Sequence, residues 1–295
     1  MKAEFLLGTP EIHWLWDPDP RFNGIVFFIS RSRAVRRKTP FPPAVHDFCF
    51  DSSAFPMLQK NGRWTVSAPQ YVGEMRQWVP QLGRDRCRWI APQDYMCETA
   101  VIQGGWFKGQ YFVGTRELRG LKPGDPEQDL TTARRIHQRL TVDNGILLRK
   151  LAPELPFIFV LQGETIDDYR YCHRLYEEAG VDLSKEPVVG LGSVCRREDT
   201  DEIAEIVDYF YGKGLRLHGF GVKTSGLGLY GDQLVSADSQ AWSKGYRARG
   251  IKLSQCTHRA KTCANCKEGA LAWYRRVKDT PPDFRQLKFD LGAAA

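Results

Sequence analysis

Eight short segments of this chain are apolar at nearly every position rather than at every second one, and no other feature constrains its fold as much. They are Glu4–Gly8, Gly24–Ser30, Asp47–Asp51, Arg86–Pro92, Phe157–Gln162, Pro187–Gly192, Leu215–Val222 and Gln233–Asp238. A strand with one wet face alternates, whereas a strand that does not alternate is covered on both faces, as in a parallel sheet lying against helices. Helical patterns fill Glu127–Lys150, Ile166–Ala179, Asp201–Gly212 and Glu268–Val277. Eight such strands within one domain of about 250 residues is the arithmetic of a (β/α)8 TIM barrel, an α/β fold. A doubly wound open sheet is the alternative. The early connections are irregular, and Gln103–Gln128 forms a long insertion rich in Gly and aromatics. No internal repeat or low-complexity linker divides the chain.

Polar residues gather where these segments end. The third closes on Asp51-Ser52-Ser53, the fourth on Gln93-Asp94, the fifth on Gln162-Gly163, the sixth on Gly190-Leu191-Gly192-Ser193 and the eighth on Ala237-Asp238-Ser239. In an open sheet these side chains would be scattered; in a barrel they converge on the C-terminal face, where such enzymes keep their chemistry. Asp51 and Asp238 are therefore candidates for a nucleophile and an acid–base, the pair that substitution at a sugar anomeric carbon requires. Each could equally cap the helix that follows it. Asp94 and Gln162 suit the edge of a purine: a carboxylate accepts from two adjacent N–H groups, and an amide donates to O6. Ordinary polar pairing at a barrel rim would account for either one alone. Gly190 and Gly192 allow close backbone approach to a ligand, or serve turn geometry only.

The chain opens with no signal-peptide pattern, and its apolar runs, such as Gly24–Ile29, are too short to span a membrane. The expectation is a soluble, cytoplasmic protein whose eight cysteines are thiols or metal ligands rather than disulfides. Cys49, Cys87, Cys97, Cys172 and Cys195 are scattered, but Cys256, His258, Cys263 and Cys266 fall within eleven residues. Three thiols and an imidazole make a closed set for tetrahedral Zn2+, which would be structural because no coordination position is left for a substrate. Unligated surface thiols are the plainer alternative, and a distant His could take the place of His258. The expected organisation is a TIM-barrel catalytic domain over residues 1–250, a zinc-binding insertion and helix packed on it over 251–280, and a tail over 281–295.

Lys and Arg number 42 against 35 Asp and Glu, a formal charge of +7. Arg31, Arg33, Arg36, Arg37 and Lys38 follow the second strand, Arg196 and Arg197 the sixth, and Lys223 the seventh. A charge run is often only a solvated face. These runs share their strand ends with the carboxylates, which favours a phosphate-binding rim for a nucleic acid.

The motifs taken together resemble the tRNA-guanine transglycosylases, and more closely the deazapurine DNA modification transglycosylases, the DpdA family. The matching stretches are Asp51-Ser52-Ser53-Ala54-Phe55, Asp94 to Cys97, Leu161-Gln162-Gly163, Val189 to Val194, His218-Gly219-Phe220-Gly221, Ser236-Ala237-Asp238-Ser239 and the Cys-rich segment, in the family's order. The resemblance implies that Asp238 is the nucleophile and Asp51 the general acid–base. It implies that Phe55 stacks on the bound base, with His218 and the adjoining Gly219 facing its other side. It gives Asp94 the guanine edge, Gln162 and the Gly190 N–H the O6 atom, and the Leu191 carbonyl the 7-substituent. Where the tRNA enzymes carry Gly-Gly before the stacking aromatic this chain has Ser53-Ala54, and Pro56 follows it. After the nucleophile it reads Ser239 to Ser243 in place of a Pro-Thr-Arg run, and the Cys256–Cys263 gap is wider. These departures point toward the DNA branch.

The function expected from all of this is exchange of guanine in DNA for a 7-deazaguanine base by double displacement, with no membrane involved; a partner protein is compatible with it. A tRNA-guanine transglycosylase would keep the chemistry and change the polymer. A non-catalytic nucleic-acid-binding barrel subunit would need neither Asp51 nor Asp238, and a sugar-processing glycosidase would leave the purine-reading set without a purpose.

Overall fold

The computed structural model describes residues 3–115, 130–194, 200–222 and 224–279. Eight parallel strands form one sheet: β1 (Glu4–Thr9), β2 (Phe27–Ser30), β3 (Phe48–Asp51), β4 (Cys87–Ile90), β7 (Phe159–Leu161), β8 (Val189–Leu191), β9 (Leu217–Gly219) and β10 (Leu234–Ser239). Their order is β4-β3-β2-β1-β10-β9-β8-β7, so strands successive in this set are neighbours and the first pairs with the last. A parallel bridge between Ile90 and Phe157 links the two ends of that order. There the Ile90 N–H donates to the Pro156 carbonyl at 2.9 Å and the Ile158 N–H to the Ile90 carbonyl at 3.1 Å.

The absence of alternation has its expected cause, burial on both faces. Phe5, Leu7, Phe27, Ile29, Phe48 and Phe50 pack outward beneath the helices, while Leu6, Val26, Phe28, Cys49 and Trp89 form a second, inner cluster with Ile158. The sheet is strongly curled. Trp89 of β4 meets His218 of β9 with ring centroids 4.6 Å apart, although four strands separate them in the sheet.

Helices return the chain between strands: α1 (Arg31–Ala34), α2 (Ala54–Asn61), α3 (Ala68–Leu82), α4 (Thr99–Gln103), α5 (Leu130–Leu151), α6 (Ile166–Glu178), α7 (Thr200–Gly212), α8 (Thr224–Tyr230), α9 (Ala241–Ala248) and α10 (Lys267–Lys278). Among the described residues none is long and apolar enough to cross a membrane. Helix α6 starts at a capping box in which Thr165 and Asp168 satisfy each other's backbone N–H groups. The insertion follows α4 and holds an antiparallel hairpin of β5 (Gly105–Phe107) and β6 (Gln110–Phe112). Helix α10 lies on β1, with Trp273 5.2 Å and Tyr274 6.0 Å from Phe5 between ring centroids. Its N-terminal end is tied down where Lys267 reaches Asp17 at 2.6 Å and Arg21 pairs with Glu268. Arg196, Arg197, Lys223 and the expected tail 281–295 lie outside the described residues.

Candidate active site

In-register pairing places the tips of the strands side by side. Ser30 of β2 pairs with Asp51 of β3, and Leu6 of β1 with Asp238 of β10. Asp51, Asp94, Gln162 and Asp238 thereby line one cavity of ≈ 610 Å³, together with Phe55, Phe28 and Phe220. The two strand-tip carboxylates and the Asp94–Gln162 pair singled out in the sequence thus meet at one place.

The turn after β3 explains how Asp51 is aimed. Its Oδ1 accepts the Ser53 N–H at 3.1 Å. Ser53 sits at φ 68, a left-handed conformation that glycine adopts freely and serine does not. Two hydrogen bonds hold it there: its Oγ lies 2.6 Å from Ser30 Oγ and accepts the Ser32 N–H at 2.9 Å. Burial raises the Asp51 carboxyl to about 6, the Ser53 N–H opposes the rise, and the charge of Asp238 adds to it. A carboxyl titrating there can give and take a proton near neutrality. Asp238 is oriented by the Gly221 N–H, which donates to Oδ1 at 2.9 Å.

Asp94 and Gln162 touch directly, Gln162 Nε2 donating to Asp94 Oδ2 at 2.5 Å. Ser193 Oγ donates to Gln162 Oε1 at 2.6 Å, at the other end of the amide from Asp94. Gly192 makes room for this arrangement, since a Cβ there would fall 2.2 Å from Gln162 Nε2. Burial raises Asp94 to about 7, partly countered by its backbone hydrogen bond and by Gln162.

Four positions expected to touch a base, Gly190, Leu191, His218 and Gly219, are not among the residues that line the cavity. His218 is fully buried, its ring 4.6 Å from those of Phe220 and Trp89, its Nδ1 2.8 Å from Ser236 Oγ and its Nε2 3.4 Å from Asp238 Oδ1. The Leu191 carbonyl accepts the Phe220 N–H at 3.2 Å, and its side chain belongs to the buried core. At Gly190 a Cβ would meet the Phe220 ring at 2.4 Å, and at Gly219 it would meet Val222 at 2.4 Å. Phe220 therefore presents the aromatic surface that the sequence motif suggested for His218. The only sequence signal for it was its place two residues downstream, within the same four-residue motif.

The basic residues divide likewise. Arg33 lines the cavity, as does Lys244 of α9, which sequence reasoning missed because it stands alone. Arg36 and Lys38 are exposed. Arg31 is turned inward and buried, held by both oxygens of Glu74 at 2.5 and 2.6 Å, so it has no free face for a phosphate. Arg37 lies over the Trp16 ring at 5.1 Å and donates to the Thr39 and Pro40 carbonyls at 3.0 Å.

Cys256, His258, Cys263 and Cys266 bring their ligand atoms within 4.8 Å of one another. The Cys256–Cys263, Cys256–Cys266 and His258–Cys263 separations are 3.4, 3.9 and 3.4 Å. Tetrahedral zinc with bonds of about 2.3 Å to sulfur and about 2.0 Å to nitrogen has edges of roughly 3.5–3.8 Å, so the donor set fits that ion. Backbone N–H groups of Leu253 and Gly269 donate to Cys263 and Cys266 at 3.2 Å each, the support that thiolate ligands need.

A family model described as DpdA, DeoxyPurine in DNA protein A, matches residues 1–108 and 128–293. The chain belongs to the DpdA family. Membership supports a role in DNA modification. No curated protein matches the chain in sequence. The family match covers the cavity residues named above and the Cys/His cluster, and it omits residues 109–127, among them Gln110 of the lining.

Proposed function

We propose that this DpdA-family chain is a transglycosylase that replaces guanine in DNA by a 7-deazaguanine. The carrying observation is that two strand-tip carboxylates and a purine-edge pair share one cavity with aromatic walls. Its size lies within the range of small-molecule sites, about 300–1,000 Å³. The proposed scaffold is a (β/α)8 barrel with the cavity at the C-terminal ends of the strands; the sheet order and the Ile90–Phe157 bridge support this.

A base inside a duplex is out of reach of such a cavity, so the target nucleotide must swing out of the stack. Its guanine lies between Phe55 and Phe220, with Asp94 accepting from N1–H and N2–H and Gln162 donating to O6. A carboxylate oxygen of Asp238 attacks C1′, the C1′–N9 bond breaks, and its electron pair goes to the guanine, which takes the proton held by Asp51. The 7-deazaguanine then occupies the vacated position and gives its N9 proton to Asp51. Its N9 attacks C1′, the ester C–O bond breaks, and the Asp238 carboxylate is restored. Two inversions return the β configuration. Cys256, His258, Cys263 and Cys266 would hold Zn2+ as a structural staple of the α9–α10 corner, away from these steps.

The test is exchange of labelled guanine into polymer. Label should enter guanine-containing DNA and not tRNA at matched salt, and Asp238→Ala should abolish it. Preferential labelling of tRNA would overturn the choice of DNA.

A further inference from the structure

Six large hydrophobic side chains are exposed among the described residues, and three of them sit together on the β5–β6 hairpin: Trp106 at 77%, Tyr111 at 55% and Phe107 at 46%. Single exposed apolar residues are ordinary, but an aromatic cluster marks a contact surface. Cross-strand register sets Trp106 opposite Tyr111, with ring centroids 5.7 Å apart, on one face, and Phe107 opposite Gln110 on the other.

The hairpin stands at the mouth of the cavity. Gln110 is part of the lining, and Phe112 meets Phe55 edge-on at 5.9 Å. It is held firmly in that place. Gln59 of α2 donates to the Tyr111 carbonyl at 3.2 Å and accepts the Val113 N–H at 2.9 Å. At the neck a Cβ on Gly104, which has φ 78, would fall 2.7 Å from the Gly114 nitrogen, so only glycine lets the two legs come together. The Thr115 N–H closes the neck on the Ile102 carbonyl at 2.9 Å. The family match stops at residue 108 and resumes at 128, so the β6 half of the hairpin lies outside the matched residues.

We infer that this hairpin is a stacking arm for DNA, covering the bases that flank the nucleotide taken into the cavity; the inference rests on the reading of that cavity as a nucleotide site. Swinging one nucleotide out leaves its neighbours with exposed faces, and aromatic side chains beside the opening replace the lost stacking. Charge agrees with that occupant. Lys108 is at the hairpin turn, and Arg33 and Lys244 line the same cavity as Gln110 of the hairpin, cations that suit the phosphates of a strand entering there.

The experiment uses the whole chain and a guanine-containing DNA oligonucleotide, with affinity read by fluorescence anisotropy across a salt series. Trp106→Ala, Phe107→Ala, Tyr111→Ala and the triple variant alter exposed positions, so circular dichroism and thermal melts should match the parent chain. Affinity should fall on the order of 10-fold per stacked base lost, and the slope against salt should stay the same because no charge is removed. Trp106→Phe should keep most of the affinity. The inference is overturned if the triple variant binds DNA as tightly as the parent. It is also overturned if Trp106→Phe loses as much as Trp106→Ala, if the variants change only the sedimentation state of the protein, or if the aromatics are needed for an RNA oligonucleotide but not for DNA. Asp238→Ala serves as the separate control on function. If the hairpin governs DNA binding while the parent chain exchanges no guanine, the arm stands and the transglycosylase reading falls.

Discussion

Asp94→Asn should make the protein more stable at alkaline pH while impairing its recognition of the base. Asp94 is buried, and its carboxyl is raised from 3.8 to about 7. The folded state therefore holds a proton at Asp94 across a range in which the unfolded chain has released it, and stability falls as pH rises through that range. A displacement of about three pH units at about 1.4 kcal/mol each amounts to about 4 kcal/mol, lost between roughly pH 4 and pH 8. Asparagine keeps the shape and a partner for Gln162 but has no proton to lose, so its stability should stay flat over the share of the curve that Asp94 controls. Denaturant unfolding of both proteins at several pH values isolates this share, because every other titrating group is common to the two. The variant should gain up to about 4 kcal/mol relative to the parent between the two ends of the range. Parallel stability curves would refute the claim that Asp94 is protonated in the empty cavity. The same group must be ionised to accept two N–H donors from guanine, so affinity for the free base should rise with pH through about 7 in the parent and be weak throughout in the variant.

The metal cluster should hold one zinc per chain; Cys263→Ala should lower the folded yield sharply, and a stable, active protein without zinc by elemental analysis would remove the site. Neutralising Arg33 and Lys244 should weaken DNA binding about equally for all sequences and flatten its salt dependence, whereas Arg31→Ala should lower stability by breaking its buried pair with Glu74; a strong sequence dependence of the first effect would contradict phosphate contact. Because Asp51 must start protonated and titrates at about 6, single-turnover guanine release should decline as pH rises through that value. Asp51→Asn should remove that limb of the profile and slow release by about 100- to 10,000-fold.

How much of this was legible in the sequence follows from what each residue does. The eight strands could be read because burial on both faces writes itself as unbroken apolar runs, and the strand tips because polar residues interrupt those runs at once. Helix α3 escaped notice because Pro69, Gly73 and Pro80 read as breakers. Pro69 lies in the first turn, where its missing N–H costs nothing, and Pro80 lies in the last. The basic run Arg31–Lys38 begins as a helical turn, and that turn carries Arg31 inward to Glu74. Charge runs show sign but not direction, so Arg31 and Arg33 looked alike. Positions 190, 191, 218 and 219 were assigned by resemblance to touch the base. None of the four lines the cavity in this structure; Phe220 does, and its ring packs beside Gly190 and His218. The hairpin was hidden because Gly-rich and aromatic composition says nothing of where an insertion folds back.

The central claim is that Asp238 forms a bond to the sugar. Wild-type protein mixed with guanine-containing DNA, quenched and resolved on a denaturing gel should give a protein–DNA adduct, and mass spectrometry should place the sugar on the peptide carrying Asp238. Asp51→Asn should still form the adduct, slowly, and Asp238→Ala should never form it. An adduct that persists in Asp238→Ala and vanishes in Asp51→Ala would make Asp51 the nucleophile and contradict the account.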